Sequence, residues 1–351
     1  MIYILNSKDS SQRSIWMSLW EKWPDREVFA HPSYVELFCS ENDAAICIAC
    51  DNSDGGILFP LIQRPLESEI WAEELKGCYD LTSPYGYGGA FYWGHPNVSI
   101  FWEYFDNWAI KSHIISLFCR LSLFNEQLIP FHGDVEFRSY NIIRTLNIPL
   151  DLIWKQYEHK VRKNVNRARN SDIYIEIDDT SKNLEDFLEI YYSTLDRRGA
   201  KKSYYFSREF FLKITRELNG QFVFFNARKD GAIISSELVL ISKTKIYSFL
   251  GGTKLEYFKD RPNDLLKHEI ISWGVKEGKQ FFVLGGGYED GDGIYRYKKS
   301  FAPDGQVPFY IGKRIFNIDL YKKAIMLRRD YEKNNGIEWQ PNPKYFPLYR
   351  S

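Results

Sequence analysis

Apolar residues recur along this chain at two spacings, and the switches between them mark out its elements. IYILN (2–6) alternates as a short strand, and a Trp-bearing helix follows around 15–20. Strands are predicted at 44–49 and 56–62, joined by the turn DNSDGG. The stretch DLTSPYGYGGAFYWG (80–94) carries too much Gly, Pro and Tyr for a regular element. A helix (97–112) and a strand (114–121) come next, and Pro149 marks a hinge.

Beyond the hinge the periods lengthen. Trp154, Tyr157, Val161, Val165 and Ala168 fall at helical spacing and predict one amphipathic helix over 152–170. IYIEI reads as a strand, and two further helices are marked by Leu184, Phe187, Tyr191 and Leu195, then by Phe211, Ile214 and Leu218. QFVFFNAR, AIISSELVLIS and KIYSFL form an antiparallel meander, with Lys229-Asp230-Gly231 as its first tight turn. KIYSFL then meets a predicted turn at Gly251, Gly252 and Thr253. A helix over 262–276 follows, with Pro262 in its first turn and Gly278 just past its end. The strand QFFVL, a glycine turn at 285–287 and YRYKKSF complete this run. As an extended segment, YRYKKSF puts Tyr295 and Tyr297 on one face and Arg296 and Lys298 on the other. A meander followed by helix and strand predicts an α+β fold rather than a doubly wound parallel sheet. The expected domains are 1–150 and 151–351, the second carrying a C-terminal extension.

Charge and composition narrow the partners. The 351 residues hold 46 Lys and Arg against 46 Asp and Glu, without the basic excess of a protein that grips long duplex nucleic acid. Locally the balance fails, since 155–169 carries six Lys or Arg and one Glu. The five cysteines are odd in number, and Cys47-x-x-Cys50 lies in an apolar strand with no second pair. Free thiols, no metal and no bound cofactor are therefore expected. No charged-then-apolar leader and no apolar run of ~18 residues is visible, so a cytoplasmic protein without a membrane span is expected. The sequence is compatible with a homodimer without specifying one.

Several residues could carry chemistry. The amides of Gly251, Gly252 and Thr253 could approach a phosphate or an acyl oxygen, although Asp264 in the following helix opposes an anion and a plain strand-ending turn reads equally well. Lys298 among aromatics could stabilise a developing oxyanion, or could guard a strand edge. Arg162 and its basic helix could attract phosphates or simply face water. Arg197 could bind an anion or complement a helix dipole. Tyr85 and Tyr87 offer flat, hydrogen-bonding faces for a sugar or nucleotide, or pack a structural loop. Asp80, His132 and Glu237 are lone general-base candidates beside apolar residues.

KVRKNVNRAR, FLEIYYSTLDRRG, YSFLGGT, HEIISWGVKEGKQFFVLGGG and GIYRYKKSF occur in an order that resembles the FemAB-type, double-GNAT N-acyltransferases. DLTSPYGYGG and PFHGD extend the resemblance over most of the chain. It implies two GNAT-like domains, each a mixed, mostly antiparallel sheet flanked by helices, with an active cleft between them. It also implies direct attack of an amine on the donor carbonyl. By the resemblance, Arg197 helps bind the acceptor's phosphates and Tyr247 lines the acceptor channel. Lys298 stabilises the transferring carbonyl, with Lys299 as its alternative if the register slips. Peptidoglycan-bridge members use aminoacyl-tRNA, and some carry a long helical arm that is not readable here. Other members use acyl-CoA on amino sugars, although the R/Q-x-x-G-x-G/A loop common in acetyl-CoA users is absent. The expected co-substrates are acyl-CoA and a nucleotide-linked amino sugar for surface polysaccharide. A tRNA-dependent transferase acting on a peptidoglycan precursor and a non-catalytic binding protein are the alternatives.

Overall fold

A computed structural model describes residues 1–289 and 291–351. The chain forms two compact units, Met1–Arg138 with Phe309–Ser351, and Ser139–Pro308. In chain order the elements are β1 (Ile2–Asn6), α1 (Ser10–Lys22), α2 (Pro32–Glu36), β2 (Ala44–Asn52), β3 (Gly55–Pro65), β4 (Tyr79–Thr82), β5 (Phe91–Gly94), α3 (Val98–Lys111) and β6 (Ile114–Arg120). There follow β7 (Asp134–Thr145), α4 (Leu150–Gln156), α5 (His159–Arg169), β8 (Tyr174–Asp178), α6 (Leu184–Arg198), α7 (Arg208–Glu217), β9 (Phe222–Lys229), β10 (Ala232–Ile241) and β11 (Lys245–Thr253). The chain closes with α8 (Pro262–Lys276), β12 (Phe281–Gly285), α9 (Gly293–Lys299), β13 (Gln306–Ile315) and α10 (Ile318–Asn334).

Within the first unit the strands pair in the order β1-β2-β3-β4-β6-β13, with β5 added to β3. Only β4 and β6 run parallel. Asp9 caps α1 by accepting from the amides of Ser11 and Gln12, which fixes the face bearing Trp16, Leu19 and Trp20. Those side chains share a core with Cys47 and Ala49 of β2, while Phe101, Trp102 and Phe105 of α3 pack with Ile46, Ile48 and Phe59 in a separate cluster. Burying a side chain of this size contributes about 1.5–3 kcal/mol. The five cysteines are free thiols, and burial pushes Cys47 and Cys119 well above the ordinary range.

Within the second unit the order is β7-β12-β11-β10-β9-β8, again antiparallel except for one pair, β11 with β12. Each unit is therefore a mixed, mostly antiparallel sheet with a single parallel strand pair among the described residues, the expected α+β class. Helices α5 and α8 share one core with Phe225, Ile246 and Phe282. Among the described residues no helix is long and apolar enough to cross a membrane.

Five local expectations change. The stretch 80–94, expected to hold no regular element, contributes to β4 at its start and forms β5 at its end, both paired with β3. The segment Phe309–Ser351, expected as an extension of the second domain, belongs to the first unit, and the division falls after Arg138 rather than near Pro149. Its cause is burial, because Tyr321, Ala324 and Tyr349 share a core with Leu66, Trp71, Leu75 and Ile115. The single helix over 152–170 is two, broken where Tyr157 turns inward to Phe301 and the Glu158 amide donates to Ser300 O. Gly251 to Thr253 continue β11 instead of turning. YRYKKSF is mostly helical, because Asp292 caps α9 by accepting from the Tyr295 amide.

Candidate active site

The parallel strands of the second unit set up the site. β11 pairs with β12 only through Lys245–Tyr247 and Phe281–Val283. Past that point β12 shifts register on β7 and pairs Gly285 with Ile142, while β11 stays on β10 out to Thr253. Beyond Tyr247 the two strands part. The edge of β11 from Ser248 onward is thereby left without a ladder partner on the β12 side, among the described residues. Main-chain amides and carbonyls along such an edge can hydrogen-bond an extended ligand as an added strand would, or support an acyl oxygen.

One face of this opening is built by α8. Lys267 donates to both carboxylate oxygens of Glu237 on β10, at 2.5 and 2.6 Å, and to Ser248 Oγ at 3.0 Å. Both charged residues are buried, at 4 % and 6 % exposure. Removing two charges from water is costly, so the bidentate geometry and the hydroxyl partner are what make the pair tolerable. Next to it, Tyr297 OH donates to Asn263 O at 3.2 Å and accepts from Asn263 Nδ2 at 2.9 Å. Burial, with the charges of Asp264 and Glu237, holds the Tyr297 phenol well above its ordinary range. Asp264 is itself buried in the first turn of α8, where Asn164 donates to it at 3.1 Å. Burial raises its carboxyl, opposed by the Asn164 hydrogen bond and the charges of Arg261 and Lys160.

Lys298, on α9, reaches the end of β12. Its Nζ donates to Gly286 O at 2.6 Å. Desolvation brings the ammonium down to about 8; the Lys267 charge adds to this, while Glu237 and Asp292 oppose it. Lys299 instead reaches Gln306 Oε1 at 3.2 Å, beside Tyr295 OH on the same oxygen. Of the two lysines the resemblance offered, Lys298 is the one electrostatically joined to Glu237 and Lys267.

The other face is built by α6. A Cβ on Gly252 would stand 2.3 Å from Thr194 Oγ1 and 2.8 Å from Ile190 O, and one on Gly251 would stand 2.6 Å from Ser236 O. These glycines let α6 and β10 approach β11; they are not a phosphate turn. Thr253 spends its hydroxyl on Ser235 at 2.8 Å. Arg197, at the C-terminal end of α6, donates to Thr253 O at 3.3 Å, and its guanidinium lies 4.8 Å from the Phe258 ring centre. The residue is exposed. Because β11 and β12 are parallel, Arg197 and Lys298 stand at the same end of the two strands. Tyr247, expected in the acceptor channel, is buried where the strands still pair, opposite Val283.

Arg162 lies on α5, where it donates to the carbonyls of Lys155 and Tyr157, and it lines a surface hollow with Lys163 and Arg167. The remaining candidates, Glu237 apart, belong to the first unit. Asp80 is fully buried between Arg64 Nε at 2.7 Å and Arg350 Nε at 2.6 Å, with Tyr349 OH at 3.1 Å. It anchors the C-terminal segment and is not placed as a free base. His132 is exposed, with the Trp102 ring centre at 5.7 Å, Asp106 at 3.3 Å and Arg314 at 3.1 Å. Glu237 is a paired carboxylate, as above. Tyr85 is exposed and accepts at its carbonyl from Tyr34 OH, while the Tyr87 ring packs edge-on against Phe29 and Phe309. Lys267, Ser248 and Asn263 were missed in the sequence, where the available signal was a Glu inside the apolar strand SSELVL and a Lys in the following helix. No group of three or more His, Cys, Asp or Glu side chains that could hold a metal ion occurs among the described residues.

Residues 155–299, which contain α5 through α9, match the acetyltransferase (GNAT) domain model. No curated protein matches the chain. Among solved structures the chain is similar to FemX, at 12 % identity over 88 % of this chain and 97 % of that one, with a TM-score of 0.66. It is also similar to a conserved protein of unknown function from Bacteroides thetaiotaomicron, at 12 % identity over 89 % and 99 % of the two chains, with a TM-score of 0.59. The C-terminal domain of a putative lysylphosphatidylglycerol synthetase from Agrobacterium fabrum has 12 % identity over 90 % and 95 %, with a TM-score of 0.53.

Proposed function

We propose that this chain, an acyltransferase with a GNAT domain at residues 155–299 in the FemAB-like, double-GNAT fold, moves an acyl group from acyl-CoA to the amine of a nucleotide-linked amino sugar. The observation that carries the reading is the opening between β11 and β12 with Lys298 at its mouth, beside the buried Glu237–Lys267 pair. The thioester arm lies along the bare edge of β11, with its carbonyl towards Lys298. The amine nitrogen of the sugar forms a bond to the carbonyl carbon, and the carbonyl π pair moves onto oxygen. The Lys298 cation supports that oxyanion. Collapse of the intermediate breaks the C–S bond, and the thiolate takes up, through water, the proton the nitrogen gives off. A thiolate leaves readily, so no strong general acid is required. Arg197 binds acceptor phosphate, and Glu237 with Lys267 positions Lys298 by charge. Holding amine and thioester within ~3.5 Å supplies much of the acceleration. A cytoplasmic location and a place in bacterial surface-polysaccharide synthesis go with these substrates.

The test is release of free thiol from acetyl-CoA and longer acyl-CoAs, with UDP- and dTDP-linked amino sugars as acceptors. The proposal expects one thiol per amide formed. No release with any of these pairs, together with thermal stabilisation by a UDP-muramyl peptide and none by CoA, would replace it with the tRNA-dependent reading. Indifference to every small ligand would favour a binding protein.

A further inference from the structure

The basic helix is absorbed by neither the opening nor Lys298. Helix α5 has 11 residues, of which Val161, Val165 and Ala168 face the core. Its other side borders a hollow of about 710 Å³ whose lining includes Trp154, Arg162, Lys163, Asn166, Arg167 and Asn170. None of the lining residues is acidic. From Arg162 to Asn170 this stripe runs about 12 Å along the helix.

The distribution of counter-charges sets the stripe apart from an ordinary solvated face. Around the hollow, Lys155 meets Asp151 at 3.6 Å, Lys160 meets Glu158 at 3.2 Å and Arg169 meets Glu269 at 3.0 Å. Inside it, Arg162 is tethered only to main-chain carbonyls, and Lys163 and Arg167 have no carboxylate partner among the described residues. Three cations thus line one shallow, open surface with two amide side chains and Trp154, which suits phosphate oxygens beside a flat base.

The alternative place for an anion, the N-terminus of α8, is occupied. Asp264 is buried in its first turn and tied to α5 by Asn164. The start of α5 is joined to the segment that carries Lys298, because the Glu158 amide donates to the carbonyl of Ser300.

We infer that the hollow along α5 is a nucleotide-phosphate site, in which Arg162, Lys163 and Arg167 hold the phosphate groups of a nucleotide-bearing substrate. This rests on the transferase reading above for what the nucleotide is attached to. Two sources share the chemistry, the adenosine bisphosphate end of CoA and the nucleoside diphosphate of the sugar acceptor.

Binding to the full chain is measured by calorimetry at fixed ionic strength. The probes are CoA, adenosine 3′,5′-bisphosphate, UDP and dTDP. Wild type is compared with Arg162→Gln/Lys163→Gln/Arg167→Gln and with Lys163→Gln/Arg167→Gln, which leaves the Arg162 tether intact. At least one probe pair should lose tenfold or more in affinity in the triple variant and part of that in the double, with a weaker salt dependence in both. Loss confined to CoA and the bisphosphate assigns the donor's nucleotide, and loss confined to UDP and dTDP assigns the acceptor's. Equal affinities in wild type and variants, or no binding of any probe to wild type, would overturn the inference. Weakened nucleotide binding in a protein that turns over no acyl-CoA would uphold the hollow and sink the donor reading instead.

Discussion

Replacing Lys267 by Met isolates the buried pair under the opening. The substitution keeps the aliphatic stem, whose ammonium end lies 5.4 Å from the Phe282 ring centre, and removes the charge that two Glu237 oxygens accept from at 2.5 and 2.6 Å. Glu237, only 6 % exposed, is left as an uncompensated buried carboxylate. Breaking such a pair from one side costs about 3–5 kcal/mol. For a domain of this size that is a fall in Tm on the order of 10 °C. Replacing both members with apolar residues, as Lys267→Met/Glu237→Leu, should recover most of the loss, because neither charge then needs desolvating. Urea unfolding followed by tryptophan fluorescence measures all three proteins. The reasoning is refuted if the single variant is as stable as wild type, or if the double variant is no better than the single.

Gly252→Ala should cost about 1–3 kcal/mol in the same assay, since the new methyl would stand 2.3 Å from Thr194 Oγ1 and force α6 outward; an unchanged midpoint would contradict the packing role. Arg197→Ala should weaken acceptor binding by about ten- to a hundredfold, the loss of a charge-assisted contact, with little change in kcat; equal affinities in titrations of wild type and variant would reject the assignment. The Lys298 cation is present below its pKa of about 8 and lost above it. Support for an oxyanion should therefore fall about tenfold between pH 7 and pH 9. Arginine stays charged over that range, so the ratio of wild-type to Lys298→Arg kcat, which cancels the titration of the acceptor, should drop with rising pH. A flat ratio would show that the cation is not the active form.

The strands of the meander were legible because their apolar alternation is long and their turn residues unambiguous, and the α+β class followed from them. The glycines of β11 misled, because Gly after a strand reads as a turn unless one knows that α6 lies too close for a Cβ. YRYKKSF misled for a local reason, since Asp292 three residues before Tyr295 is a helix cap whose effect on a short segment outweighs alternation. The break in the helix over 152–170 depends on a hydrogen bond from Glu158 to Ser300, which no local pattern shows. The assignment of Phe309–Ser351 to the first unit rests likewise on distant partners, Asp80 with Arg350 and Ser116 with Tyr349. Of the proposed site, Arg197 and Lys298 were named through the family resemblance and not from their own surroundings in the sequence. Their neighbours in sequence are ordinary, and it is the parallel run of β11 and β12 that puts them at one strand end.

The most direct test of the account is Lys298→Ala, measured for single-turnover acyl transfer and for acceptor affinity in the same preparation. The account predicts a fall in the transfer rate of about 10²–10³, the size expected for loss of one oxyanion donor, with acceptor affinity unchanged. A transfer rate equal to that of wild type would contradict it.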